Sequence, residues 1–203
     1  MIPQEFRTDK VERLQAIVDS FDGDVSRLEE LKEDDLKLIG HFVHLYNFIE
    51  LNLRRSVQAF ASAGLLGDIK PRRYRRFAPA DLIKTVKEVV SRLELPTSDI
   101  EDAHRKLDEI EERWKVRNIF AHWAGRRVPK EDGIFFMSLD ARDEKQIMGT
   151  DYSDDDSTPN FTLSLCMDLA DLRDLALHMM PYGEWIAIKA RDWSLQYDAP
   201  PPG

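Results

Sequence analysis

One cysteine, nine glycines and no apolar run long enough to cross a bilayer set the first limits on this chain of 203 residues. A lone Cys166 excludes a disulfide framework within the chain and a thiolate metal cluster. Its simplest role is that of a small core hydrophobe in a reducing, cytoplasmic setting. The lack of a long apolar run, and of signal-peptide character in Met1–Glu5, predicts a protein with no membrane partner. Missing too are a Gly-rich phosphate loop, a Rossmann fingerprint, a Ser or Cys nucleophile motif and the His-Glu-x-x-His pattern of a zinc helix. No metal and no cofactor is therefore expected, and no internal repeat is visible. What is present is 42% hydrophobic and 33% charged residues, enough for one globular domain with a real core.

The formal net charge of −9 argues against a general nucleic-acid binder, because phosphate contacts need Lys and Arg. The basic residues are concentrated, however. Lys70-Pro71-Arg72-Arg73-Tyr74-Arg75-Arg76 is one cluster, and Arg113, Lys115, Arg117, Arg126, Arg127 and Lys130 form another along the chain. The acid lies elsewhere, in 29–35, 101–112 and 151–156. An acidic protein with local basic patches can hold RNA at one place and repel it elsewhere. The plainer alternative is that each patch is a solvated surface.

Hydrophobic periodicity predicts a helix over about 10–20 (Val11, Leu14, Ile17, Val18), closed by the turn Phe21-Asp22-Gly23-Asp24. A long helix over 33–63 carries Leu36, Ile39, Phe42, Val43, Tyr46, Phe48, Ile49, Leu53, Val57 and Phe60 on a broad apolar face, with Gly64 and Gly67 to stop it. A third opens at Ala78-Pro79-Ala80-Asp81. A fourth follows Pro96, with Thr97 or Ser98 as N-cap, and runs to His122 and Gly125. The segments 133–139 and 160–165 read as strands, with a possible middle strand at 145–150 and a solvated acidic loop at 151–157 that lacks the Gly and Glu of a calcium loop. A last helix over 167–194 buries Met180, Trp185 and Ile188 among others and bends at Pro181 and Gly183; 198–203 is a frayed tail. The expected fold is mainly α, a single domain spanning 1–203. It has a helical core over about 10–125, a small antiparallel β insertion over 132–166 and a closing helix.

The chemistry concentrates in Glu111–Trp123, where Arg117-Asn118-x-x-x-His122 ends a strongly helical run. This motif, with the Asn directly after the Arg and the Ala121-His122 pair, resembles the signature of HEPN domains. That superfamily of small all-α proteins includes many metal-independent RNases. The resemblance covers roughly residues 33–125. It implies an active site built on Arg117 and His122, and a homodimer whose two motifs face each other. It also implies an acidic residue on the central helix, here Glu50, facing the motif helix. The inserted strands depart from the minimal family pattern. The activity implied is cleavage of single-stranded RNA by a toxin or defence effector, with an antitoxin or another protein as partner and DNA not expected. The alternative is a non-catalytic HEPN-like regulatory or interaction module.

The residue types suit that reaction. Internal transfer of the 2′-hydroxyl needs a proton acceptor, positive charge on the phosphorane and a proton donor to the leaving oxygen. His122 can serve as acid or base near neutrality, Arg117 as a phosphate clamp, and Asn118 and Glu50 as supporting groups. Arg72, Arg73, Arg75, Arg76, Arg113, Arg126 and Arg127 would hold the flanking RNA backbone. On a straight helix Arg117 and His122 lie roughly 140° apart, so one copy cannot aim both at a single phosphate unless the helix unwinds near Ala121. The structural alternatives are a His122 that caps the helix, an Arg117–Glu50 pair joining two helices and an Asn118 bonded to backbone. Tyr46, Trp114 and Trp123 read as core, His41 and His44 as core or interface residues, and His104 and His178 as lone histidines.

Overall fold

The computed structural model describes residues 8–67, 74, 76–138 and 163–197. The possible strand at 145–150, the acidic loop at 151–157 and the tail at 198–203 lie outside them. Among the described residues five α-helices and three strands follow in order, with one 3-10 turn at Val25–Arg27: α1 (Asp9–Asp19), α2 (Glu33–Ser62), α3 (Pro79–Val90), α4 (Thr97–His122), β1 (Ala124–Arg127), β2 (Gly133–Ser138), β3 (Leu163–Asp168) and α5 (Leu169–Tyr197). The chain is a helical bundle with a three-stranded antiparallel sheet just before its last helix. It divides into two compact units, Met1–Val43 with Trp114–Leu177 and His44–Arg113 with His178–Gly203.

In the first unit β2 is the central strand. Arg127 pairs with Ile134 and Ala124 with Met137 on one side, and Gly133 pairs with Asp168 and Phe135 with Cys166 on the other. Both faces of β2 are covered, which is why its sequence is a continuous apolar run rather than an alternation. Leu14 of α1 packs with Phe21, Leu28, Val128, Phe135 and Cys166 on one face. On the other, Phe120 near the end of α4 sits between Phe136 (ring centroids 5.0 Å apart) and Phe42 (5.2 Å, edge-on), a geometry that adds to simple burial. A Cβ on Gly133 would collide with the buried Leu14 side chain. Gly133→Ala is therefore expected to destabilise the fold by about 1–3 kcal/mol. A denaturant midpoint equal to that of the parent would show that α1 does not close on β2 at this point.

The second unit is built from the rest of α2, α3, most of α4 and the rest of α5. Ile49, Leu53, Val57, Leu82, Val86, Leu107, Ile110 and Ile186 are fully buried in it. Phe60 meets Trp193 at 4.9 Å between centroids, and Leu45 lies where a Cβ on Gly183 would reach. Lys87 of α3 bridges Asp108 and Glu111 of α4.

Several boundaries differ from the sequence expectation. β1 was not anticipated, and β3 runs on to Asp168, which becomes the N-cap of α5 by accepting from the amides of Ala170 and Asp171. Thr97 is the first residue of α4, and Pro96 rather than a hydroxyl cap receives its first amides. Helix α5 contains Pro181 and Gly183, as the expectation of one last helix has it, and runs on to Tyr197, past the expected end at 194. Leu36, Phe48, Met180 and Ile188, expected inside, are exposed. So are His41 and His44.

Candidate functional site

Helix α4 stays α-helical as far as His122. The unwinding that would bring Arg117 and His122 to one side is thus not observed. The two side chains remain roughly 140° apart around the helix and about 7.5 Å apart along it. Asn118 shares a face with His122, one turn before it, and joins the motif together: its Oδ1 accepts from Arg117 Nη1 at 3.2 Å. The Arg117 guanidinium also lies 5.9 Å from the ring centroid of Trp114, within cation–π range. His122 is exposed, and Arg117 and Asn118 are half-buried. The neighbours Val116, Ile119, Phe120 and Trp123 are buried. The motif is therefore a polar edge on a helix end whose other side is fixed in the core.

Glu50 belongs to the second unit, where its Oε1 accepts from Arg54 Nε at 3.0 Å and Nη2 at 2.6 Å; Arg54 also donates to the carbonyl of Phe77. Its carboxylate is thus engaged by a residue of its own helix. Tyr46, Trp114 and Trp123 are buried, as core residues are, and do not offer a face to a base.

The arginines assigned to RNA divide into three groups. Arg76 and Arg126 are exposed, with Arg126 only 3.7 Å from the exposed Glu30. Arg72, Arg73 and Arg75 lie outside the described residues. Arg113 and Arg127 are 4% and 5% exposed, and both work inside the fold. Arg127 Nη1 donates to both oxygens of Asp35, at 2.9 and 3.1 Å, and Nη2 to Asp132 at 2.7 Å and to the carbonyl of Glu131. Burial opposes its charge, but these carboxylates outweigh it and raise its pKa further. Asp35 in turn accepts from the Lys32 amide at 2.8 Å, the N3-to-N-cap arrangement that starts α2. A buried guanidinium with both terminal nitrogens engaged in this way is not presented to a phosphate.

Sequence reasoning missed a second constellation. In the second unit Glu109 Oε1 accepts from Arg113 Nε at 2.7 Å and meets His178 Nε2 at 2.8 Å. Burial opposes the Glu109 charge, yet the two donors prevail and hold its carboxyl below the usual range. The Glu109–Arg113 spacing of four residues was a readable signal. The His178 contact, 69 residues away, was not. His104 likewise has a partner, the Ser91 hydroxyl at 2.9 Å from Nε2.

Burial pushes the Cys166 thiol up to about 12, with Asp19 adding to the effect. At pH 8 only about one molecule in 10⁴ then carries the thiolate that reacts. The native protein is expected to resist a disulfide reagent such as DTNB until denaturant is added; stoichiometric labelling within seconds would contradict this burial.

Among the described residues no three His, Cys, Asp or Glu side chains form a metal-binding group, and no helix is long and apolar enough to cross a membrane. No protein-family model matches the chain, and no curated protein and no solved structure is detectably similar to it.

Proposed function

We propose that the protein is a HEPN-like, metal-independent endoribonuclease of the cytoplasm. In this reading it cleaves single-stranded RNA by transfer of the 2′-hydroxyl, as a toxin or defence effector would. The observation that carries the reading is the state of the motif. His122 is exposed at the end of α4, while Arg117 and Asn118, hydrogen-bonded to each other, stand one turn earlier on a helix anchored by Phe120. His122 would move the proton, Arg117 would bear the phosphorane charge, and Asn118 would steady both. Because a straight α4 keeps Arg117 and His122 on different sides, the site is completed by a second copy presenting the complementary group. Of the arginines assigned to RNA, Arg76 and Arg126 are the ones exposed among the described residues and available for flanking phosphates. Arg113 and Arg127 are left out of the RNA surface, and Glu50 stays paired with Arg54.

The test is incubation of labelled single-stranded RNA with the purified protein in EDTA, with identification of the product ends. Cleavage that persists in EDTA and leaves 2′,3′-cyclic phosphates supports the proposal. Cleavage that EDTA abolishes would overturn it.

The second reading is a non-catalytic HEPN-like module that engages a protein partner such as an antitoxin. It is favoured by the continuity of α4 through His122 and by the commitment of Arg113 and Arg127 to internal ion pairs, which takes two of the arginines near the motif away from RNA on a chain of net charge −9.

A further inference from the structure

Helix α5 buries Ile186, Ala190 and Trp193 in the second unit, yet large apolar side chains also stand on its exposed side. Met180, Ile188 and Leu195 are 39%, 49% and 71% exposed. With the exposed Glu184 and Arg191 they fall within about 80° of the helix circumference, so the five make one stripe about 22 Å long. A surface helix that only meets water has no reason to align its large apolar side chains in this way.

The order of residues along the stripe says what covers it. Glu184 and Arg191 are placed symmetrically about a point between Ala187 and Ile188, and Met180 and Leu195 are symmetric about the same point. When two copies of such a helix lie antiparallel across a two-fold axis at that point, each residue meets its mirror position in the partner. Met180 then packs on Leu195 of the other copy, Glu184 faces Arg191, and Ile188 closes the centre beside the small Ala187, which lets the helices approach. Both charged pairs and both apolar pairs are satisfied together. A parallel pairing would instead set Glu184 against Glu184 and Arg191 against Arg191, so charge selects the antiparallel arrangement. Arg191 is held within its own chain by the neighbouring Asp192, at 3.0 and 2.8 Å. That pair is exposed and therefore weak, and it leaves the guanidinium able to bridge to a second carboxylate.

We infer that α5 is a self-association surface, and that a second copy of this chain docks antiparallel on Met180, Glu184, Ile188, Arg191 and Leu195. The inference goes beyond the ribonuclease reading and does not depend on it, since it concerns a surface on α5 and not the motif on α4.

The experiment is sedimentation velocity on the full chain over a wide concentration range. The parent protein is expected to dimerise. E184R and R191E should each weaken dimerisation by about tenfold or more, because each sets like charges opposite one another twice. The double variant E184R/R191E should recover it. An equimolar mixture of the two single variants should also recover it, as heterodimers, because one chain then presents cations at both positions and the other anions. All the substituted positions are exposed, and helix content by circular dichroism should be unchanged. A parent that stays monomeric, single variants that dimerise as the parent does, or a double variant that does not recover would each overturn the interface. RNA cleavage in EDTA is read on the parent protein alone: a parent that dimerises but does not cleave overturns the ribonuclease reading and leaves the α5 interface standing, whereas a parent that cleaves but stays monomeric overturns the interface.

Discussion

Replacing His122 by alanine is expected to lower the rate of RNA cleavage by about 10²–10⁴-fold, the share that a positioned acid or base contributes. The folded state should hardly notice the change, because the imidazole is exposed and the helix is anchored by its neighbours Ile119, Phe120 and Trp123. Thermal midpoint and helix content are thus the controls that separate loss of chemistry from loss of structure. Arg117→Ala should be comparably severe for cleavage, since it removes the charge that offsets the phosphorane. Its guanidinium also contacts Asn118 and Trp114, so a small loss of stability is expected alongside. If each site combines Arg117 of one copy with His122 of the other, mixing the two inactive variants should restore about a quarter to half of the activity as mixed dimers form. Parent-like cleavage by His122→Ala would end the catalytic reading and leave the partner-binding one.

The second large effect concerns stability. Arg127→Ala would leave Asp35, 3% exposed, as a buried carboxylate that keeps only the Lys32 amide. Breaking one side of a buried ion pair in this way costs about 3–5 kcal/mol. Against a total stability of about 5–15 kcal/mol for an ordinary domain, that is a large fraction. The arm to Asp132 contributes little, because that carboxylate is 86% exposed and screened by solvent. Removing both partners together, as Asp35→Leu with Arg127→Met, should cost much less than either change alone, since no buried charge is then stranded. Urea unfolding of the two single variants and the double variant measures the coupling directly. Single variants that lose under about 1 kcal/mol would show that the pair is not structural. Activity lost by Arg127→Ala therefore says nothing of RNA contact unless unfolding is measured beside it.

The bundle itself was legible in the sequence because α1, α2, α3 and α4 each carry a 3.6-residue apolar repeat bounded by turn residues, and β2 is a short β-rich run. β1 was not legible. Ala124-Gly125-Arg126-Arg127 has no strand propensity of its own and is extended only because β2 lies beside it. Arg127 was misread for a related reason: a guanidinium on a phosphate and one on a buried carboxylate look the same in one dimension. The Asp35 that decides between them is 92 residues away. The motif was visible as residue types and spacing, but its exposure and the unbroken helix under it depend on how Phe120 is held. The apolar positions Met180 and Ile188 show the limit of periodicity: it finds an apolar face but not whether the chain's own core covers it.

Arg127 has one more consequence, through its backbone. Its amide donates to the carbonyl of Glu29 at 2.8 Å and its carbonyl accepts from the Glu29 amide at 3.0 Å, on the side of β1 away from β2. An open strand edge is a template on which other chains can lengthen a sheet into an aggregate. Here the edge is four residues long, carries the exposed charge of Arg126, and has its groups at Arg127 already taken. The turn that leads into α2 thus seals this side of the sheet against cross-β growth.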